Sequence, residues 1–281
     1  ENITIDSIDR FFTNRVSDTT RINEEDYWDK TLPMQFIAEI NNLGLADYYD
    51  FLVIDEGADI FSKPYKISAI NRILKNGLSE GKWSIFGDFN EQMIYGNESK
   101  QDILNNLAKY CVEKRYITWS LGKNSRNPID IGSYAQEYGR INKKYEAFLR
   151  HDHGKKEYII YNPENRLKKI EQVLDSLKRD KYEPHEIVLL SRKKIEQPLL
   201  KYIRGLNYNI KDFKDKDAGQ DHLRYSTISS FKGLESPVTV LLDIDKFDRD
   251  FESLFYIGIT RSTESLIMLV TEEAITDIEN V

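Results

Sequence analysis

Short apolar runs the length of single strands alternate along this chain with stretches whose apolar residues recur at helical spacing, and that alternation constrains the fold more than any other feature. The strand-sized runs fall at 51–54, 83–86, 116–120, 157–161, 187–191, 225–228, 238–243 and 266–270. Between them, Leu167, Ile170, Val173, Leu174 and Leu177 mark one face of a helix expected over 164–179, with Asn162 as its cap and Pro163 in its first turn. Leu199, Leu200 and Ile203 form an apolar face ahead of Gly205, and Phe36, Ile37, Ile40 and Leu43 do so ahead of Gly44, a helix stop. Strands and helices in alternation predict an α/β protein with mostly parallel sheets.

Composition narrows what such a chain does. Its 281 residues suffice for two domains, each able to bury a core without disulfides or metals, and leave one domain open. A formal net charge of -7, with no block of like charges, argues against a polybasic arm but allows a local basic groove. The single cysteine, Cys111, excludes an intrachain disulfide and fits a reducing, cytoplasmic setting; Cys111 itself is expected to be a small buried residue. No apolar run approaches the roughly 18 residues of a membrane span, so no membrane partner is expected. The chain opens Glu1-Asn2-Ile3-Thr4 without an initiator methionine or a leader, and residues are expected upstream. The polar stretch 211–220 reads as a solvated loop.

Chemistry concentrates at strand ends. The run 51–54 closes on Asp55-Glu56, placing two carboxylates at the carboxyl edge of a parallel sheet, where open α/β folds bind ligands. One can hold Mg²⁺ while the other orients or deprotonates a water in phosphoryl transfer; a plain polar loop start is the equal competitor for this hexapeptide alone. A second apolar run leads into Gly87-Asp88 and then Gln92 and Tyr95, suited to setting an amide beside a phosphate. In the third segment, hydroxyls of Thr227, Ser229 and Ser230 could bond sugar-phosphate, and Gly233, between Lys232 and Glu235, lets backbone approach a nucleotide; the competing reading is a Ser/Thr-rich turn. A fourth, 255–261, ends in Arg261, a candidate for stabilising phosphate charge. His151-Asp152-His153 reads as solvated loop rather than metal ligands, and Trp119, inside a strand pattern, as core.

In this order the segments resemble the motifs of UvrD/Rep-like superfamily 1 DNA helicases, and the resemblance runs through nearly the whole chain. Asp55-Glu56-Gly57-Ala58-Asp59 looks like motif II (Walker B), Gly87 to Tyr95 like motif III, and Leu121 to Pro128 like motif IV. Thr227 to Glu235 is similar to motif V and Tyr256 to Arg261 to motif VI, while Thr4, Ser7 and Phe11-Phe12 match a weaker strand-contacting motif (Ib). The Asp-Glu-Gly and Arg-Asn forms are closest to the branch found with nuclease-related domains, which implies a fused or partner nuclease.

The resemblance implies two RecA-like lobes of the P-loop NTPase fold, the first incomplete: 1–122 as the remainder of the first lobe and 123–281 as the second. It implies ATP and Mg²⁺ as cofactors and single-stranded DNA as partner, with RNA left open. Asp55 would hold the Mg²⁺, Glu56 act as base, and Gln92 sense the γ-phosphate. Arg126 and Arg261 match the arginine fingers. Asp88, Tyr95, Gly233 and Glu235 would line the nucleotide, and Thr4, Ser7, Thr227, Ser229 and Ser230 would meet the strand.

The chain also departs from the pattern. Ala58 replaces the glutamine of motif II, Ser229 the histidine of motif V and Ser262 the alanine after the motif VI arginine, so tight coupling of strand contact to hydrolysis is in question. The stretch between Arg126 and Thr227 leaves no room for a large accessory subdomain. No GxxxxGK[ST] loop occurs; Gly77 to Trp83 comes nearest, with the wrong spacing, no hydroxyl, and a place after motif II. A phosphate-binding loop is therefore expected upstream of Glu1, and this portion alone is expected to bind ATP poorly. The alternative is an ATPase-inactive RecA-like module for DNA binding or protein interaction.

Overall fold

Four apolar residues in a row, Phe51–Ile54, form strand β1, which pairs in parallel with β2 (Lys82–Ile85) so that Leu52 lies opposite Trp83 and Ile54 opposite Ile85. The computed structural model describes residues 3–88, 100–111, 116–138, 145–247 and 249–279, and the chain divides into two units, Glu1–Trp119 and Ser120–Val281.

In the first unit, Leu52, Ile54, Trp83 and Ile85 share one face, as period-two geometry requires. They pack with Ile67 and Ile70 of the helix Pro64–Ile73, Ile103 and Leu107 of Lys100–Ala108, and Cys111, which is buried as its apolar character implies. A second cluster joins Phe11 and Phe12 of Ile8–Thr13, Tyr27 of a π-helical turn Tyr27–Thr31, and Phe36 of Leu32–Glu39 to Ile73. Buried Lys66 stays paired, its Nζ 2.8 Å from Asp9 and 3.3 Å from Asp29, since an unpaired charge there would be strongly destabilising. The opposite face of β1 and β2 carries Phe51 and Val53, both more than half exposed.

The expected strand at 116–120 does not form, and Trp119 is not core: it is 84% exposed, and Ile117 94%. Tyr116 alone keeps contact, its ring 5.9 Å from that of Trp83. Apolar alternation makes a strand only where a neighbour takes up the backbone hydrogen bonds, and no strand among the described residues pairs with this segment.

The second unit opens with a two-residue pair, β3 (Lys123–Asn124) and β4 (Ala147–Phe148). Its body is a six-stranded sheet of β5 (Lys155–Ile160), β6 (Ile187–Ser191), β7 (Asn209–Asp212), β8 (His222–Thr227), β9 (Ser236–Ile244) and β10 (Ser262–Val270), in the order β5-β10-β9-β6-β8-β7. Every pairing is parallel. Central β6 is buried at all its positions, while the edge strands β5 and β7 are largely half-buried or exposed. The helices Arg166–Arg179 and Gln197–Gly205 cover one face through Ile170, Leu174, Leu177, Leu199 and Ile203, packed with Leu189, Leu242 and Ile267. Arg249–Ile259 covers the other, so closely that a Cβ on Gly258 would lie 2.9 Å from Leu241. An all-parallel sheet sandwiched by helices is consistent with a RecA-like fold.

Two details differ from expectation. The cap of Arg166–Arg179 is Asn165 rather than Asn162; the backbone N–H of each asparagine donates to the other's side-chain oxygen at 2.9 Å, closing a turn that delays the helix. The polar stretch expected as loop from 211 instead begins inside β7, because the chain from Asn209 to Asp212 pairs with β8 and Ile210 buries against the core.

Leu189 is fully buried at the centre of the larger core. Leu189→Ala is expected to lower the unfolding free energy by about 2–5 kcal/mol in denaturant titration; a loss below about 1 kcal/mol would contradict this packing.

Candidate nucleotide and strand sites

In the first unit the ladder continues past the strands: Phe86 N–H donates to Ile54 O and Gly57 N–H to Phe86 O, both at 2.8 Å. The loops beginning at Asp55 and Gly87 therefore leave the carboxyl edge side by side. A Cβ on Gly87 would lie 3.0 Å from the Gly57 nitrogen and 3.3 Å from that of Ala58, so a side chain here would push the two loops apart by a few tenths of an ångström. Asp55, Glu56 and Asp88 thus share one sheet edge. Asp55 is exposed and accepts the Glu56 N–H at 3.0 Å. Glu56 is left-handed, φ 51° and ψ 42°, at the start of the short helix Gly57–Phe61; that conformation costs a residue with a Cβ about 1–2 kcal/mol. Gln92 and Tyr95 lie outside the described residues.

Mg²⁺ in nucleotide sites takes one or two carboxylates and completes its shell with water and phosphate. Asp55 fits that demand. Among the described residues no group of three or more His, Cys, Asp and Glu could hold a metal ion. His153 instead meets Asp130 at 3.0 Å.

Thr4 and Ser7 are exposed, and both hydroxyls have local partners. Thr4 Oγ1 accepts from Tyr49 OH at 3.4 Å, and Ser7 caps Ile8–Thr13 by accepting Arg10 N–H at 3.4 Å.

In the second unit, residues far apart in sequence meet before β9 and β10, at the amino edge of the sheet. Buried Asn127 donates from Nδ2 to Thr260 O (3.1 Å) and Ser262 O (2.8 Å), tying the loop after β3 to the turn that enters β10. Asn124 Oδ1 accepts the backbone N–H groups of Arg126 (3.0 Å) and Asn127 (2.9 Å), and its amide donates to Asn127 Oδ1. Arg150 Nη1 donates to Arg126 O (3.0 Å) and Thr263 O (2.6 Å). Its hydrogen bond with Asp152 pushes the Arg150 pKa further up. With its backbone held on both sides, Arg126 extends a half-exposed guanidinium whose Nε meets Glu235 Oε2 at 2.9 Å. Such an exposed pair contributes little stability. Beside it, exposed Gly233 adopts φ 85°, a conformation suited to glycine.

Arg261 is folded differently from Arg126. It is 1% exposed, with Nε bonded to Ile257 O (2.9 Å), Nη1 to Leu234 O (3.2 Å) and Nη2 to Thr260 Oγ1 (2.9 Å). Its guanidinium clamps the last turn of Arg249–Ile259 to the chain just ahead of Glu235.

Thr227 ends β8 at the opposite, carboxyl edge, and Ser229 and Ser230 follow it there. Thr227 Oγ1 is 3.3 Å from Ser229 Oγ and accepts Ser230 N–H at 3.2 Å, closing a local turn at the start of the 3₁₀ segment Ser229–Phe231. The third segment is therefore split: its hydroxyls stand at one edge of the sheet, and Gly233 and Glu235 at the other. Sequence reasoning missed Asn124, Asn127 and Arg150 as the frame of this site; the polar run 124–128 was the only signal.

No model of a known protein family matches the chain, and no curated protein matches it. Among solved structures it is similar to the C-terminal domain of a possible DNA helicase from Lactobacillus plantarum WCFS1, at 13% identity and a TM-score of 0.42, over 52% of this chain and 87% of that one. Among the described residues, no helix is long and apolar enough to cross a membrane.

The strain at Glu56 is testable. Glu56→Gly should raise the unfolding free energy by about 1 kcal/mol, since glycine adopts left-handed backbone freely; equal or lower thermal stability would contradict a strained Glu56.

Proposed function

We propose that this chain is a portion of an ATP-dependent DNA helicase or translocase of the UvrD/Rep-like superfamily 1 kind, its two units corresponding to two RecA-like lobes, coupling ATP hydrolysis to movement on single-stranded DNA. The observation that carries the reading is the meeting of Asn124, Arg126 and Asn127 with Glu235 and with Thr260 to Ser262 at one sheet edge. These are the segments that resemble motifs IV, V and VI, and a fold that did not use them together has no reason to converge them.

In this reading Asp55 holds Mg²⁺, which neutralises charge on the phosphates when bound. Glu56, fixed by its left-handed backbone next to Asp55, accepts the proton of the attacking water. Arg126 supplies positive charge to the transferring phosphoryl group. Glu235 holds the Arg126 side chain extended and accepts from a ribose hydroxyl. Arg261, as folded, braces the backbone that carries Glu235. Thr227, Ser229 and Ser230 bond the sugar-phosphate backbone of the strand, which explains how an acidic protein grips nucleic acid.

The absence of a GxxxxGK[ST] loop from these residues favours a second reading, a RecA-like module that binds strand or protein without hydrolysis. ATP turnover by the polypeptide that carries this chain, with and without single-stranded DNA, separates the two. The helicase reading expects DNA-stimulated hydrolysis that falls by about 10²-fold or more in Glu56→Gln. Turnover that DNA does not stimulate, or that Glu56→Gln leaves intact, would favour the module. Substituting an RNA strand of the same sequence tests which nucleic acid is used.

A further inference from the structure

We propose that Asp243 is a positioning residue, a buried carboxylate that holds in register the two turns leaving the carboxyl edge after β6 and β8. The inference rests on the reading of Thr227, Ser229 and Ser230 as strand-binding groups.

Asp243 occupies an expensive position. Near the end of β9 it takes φ 60°, a left-handed backbone that residues with a Cβ adopt at a cost. The pairing with β10 shifts there, from Met268 opposite Leu241 to Val270 opposite Ile244, so β9 carries one residue more than its partner. Such bulges re-aim a side chain. Here the side chain is a carboxylate only 4% exposed, in a sheet whose other buried polar residues are serines and a threonine, which carry no charge.

Its partners reveal what it is aimed at. Asp243 pairs through Oδ1 with the guanidinium of Arg166, the first residue of Arg166–Arg179, and accepts through Oδ2 from Ser191 Oγ at 2.7 Å. Ser191, fully buried at the end of β6, passes the constraint on twice. Its hydroxyl accepts Lys193 N–H at 3.3 Å, shaping the turn 191–194, and its carbonyl accepts Ile228 N–H at 2.9 Å, fixing the base of the turn that presents Thr227, Ser229 and Ser230. One carboxylate thus connects the exits of two neighbouring strands and the start of a helix at the edge where parallel sheets bind ligands.

Stability alone is a weak reason for this arrangement. A buried ion pair often contributes no more than apolar residues of the same volume, and its best-attested use is to specify geometry. A bulge that carries such a pair to a sheet edge fits that use.

The test is binding of fluorescein-labelled oligothymidylate, read by anisotropy below the unfolding midpoint of each protein, for the parent and for Ser191→Ala, Asp243→Ala and Asp243→Asn. Asparagine tolerates left-handed backbone and its amide oxygen still accepts from Ser191, so it should rescue the position. Ser191→Ala and Asp243→Ala should each weaken binding by about tenfold or more, equivalent to about 1.4 kcal/mol, with Asp243→Asn within about threefold of the parent. If Asp243→Ala fails to fold, Ser191→Ala decides, because it leaves the pair of Arg166 and Asp243 in place. Parent-like binding by Ser191→Ala, or an Asp243→Asn protein as weak as Asp243→Ala, would overturn the positioning role. A parent that does not bind oligothymidylate would overturn the strand-binding reading beneath it.

Discussion

All six strands of the larger sheet run in one direction, so every strand begins at one edge and ends at the other. That constraint sorts the polar residues of Ser120–Val281. Groups just ahead of a strand gather at the amino edge: Glu235 before β9, Arg261 before β10, and the 124–127 loop bonded to the same turn. Groups that follow or end a strand gather at the carboxyl edge: Ser191, Thr227 and Asp243. The segment 227–235 runs from one edge to the other, which gives nine residues two distinct chemical surroundings.

The two edges are built with different physics. At the amino edge the frame is made of hydrogen bonds to backbone: Asn127 satisfies two carbonyl oxygens, Asn124 satisfies two backbone N–H groups, and the guanidinium groups of Arg150 and Arg261 donate to further carbonyls, while Arg126 and Glu235 remain at the surface. At the carboxyl edge the frame is ionic and buried, with a left-handed carboxylate taking an arginine and a serine. Glu56 in the first unit has the same backbone signature as Asp243, an acidic residue in left-handed conformation at the exit of a parallel strand. Strain of this kind persists where surrounding structure imposes it, and it concentrates at working sites.

Much of the fold is legible in sequence because it depends on apolar pattern. The runs at 51–54 and 187–191 become strands with those bounds, and Leu174, Leu177, Leu199 and Ile203 bury as their spacing implies. Pattern fails where a neighbour decides. The run 116–120 alternates like a strand but has no partner among the described residues, whereas β7, with Ile210 as its one buried residue, is held in its sheet by its ladder with β8. The helix start moves from Asn162 to Asn165 because two asparagines cap each other first. Site residues divide in the same way. Carboxylates and hydroxyls after apolar runs draw notice as motifs, whereas Asn124, Asn127 and Asp243 act through bonds to residues distant in sequence, and no local spacing encodes those. Burial of Arg261 is equally silent in sequence, where an arginine after an apolar stretch reads as reaching outward.

The division of labour proposed for the two edges is read directly by hydrogen–deuterium exchange on the polypeptide that carries this chain. Oligothymidylate should slow exchange in 191–193 and 227–231, while a non-hydrolysable ATP analogue should slow it in 124–127 and 233–235. Protection of 233–235 by the strand, or of 227–231 by the nucleotide, with the other segments unchanged, would contradict the assignment of strand and nucleotide to opposite edges of the sheet.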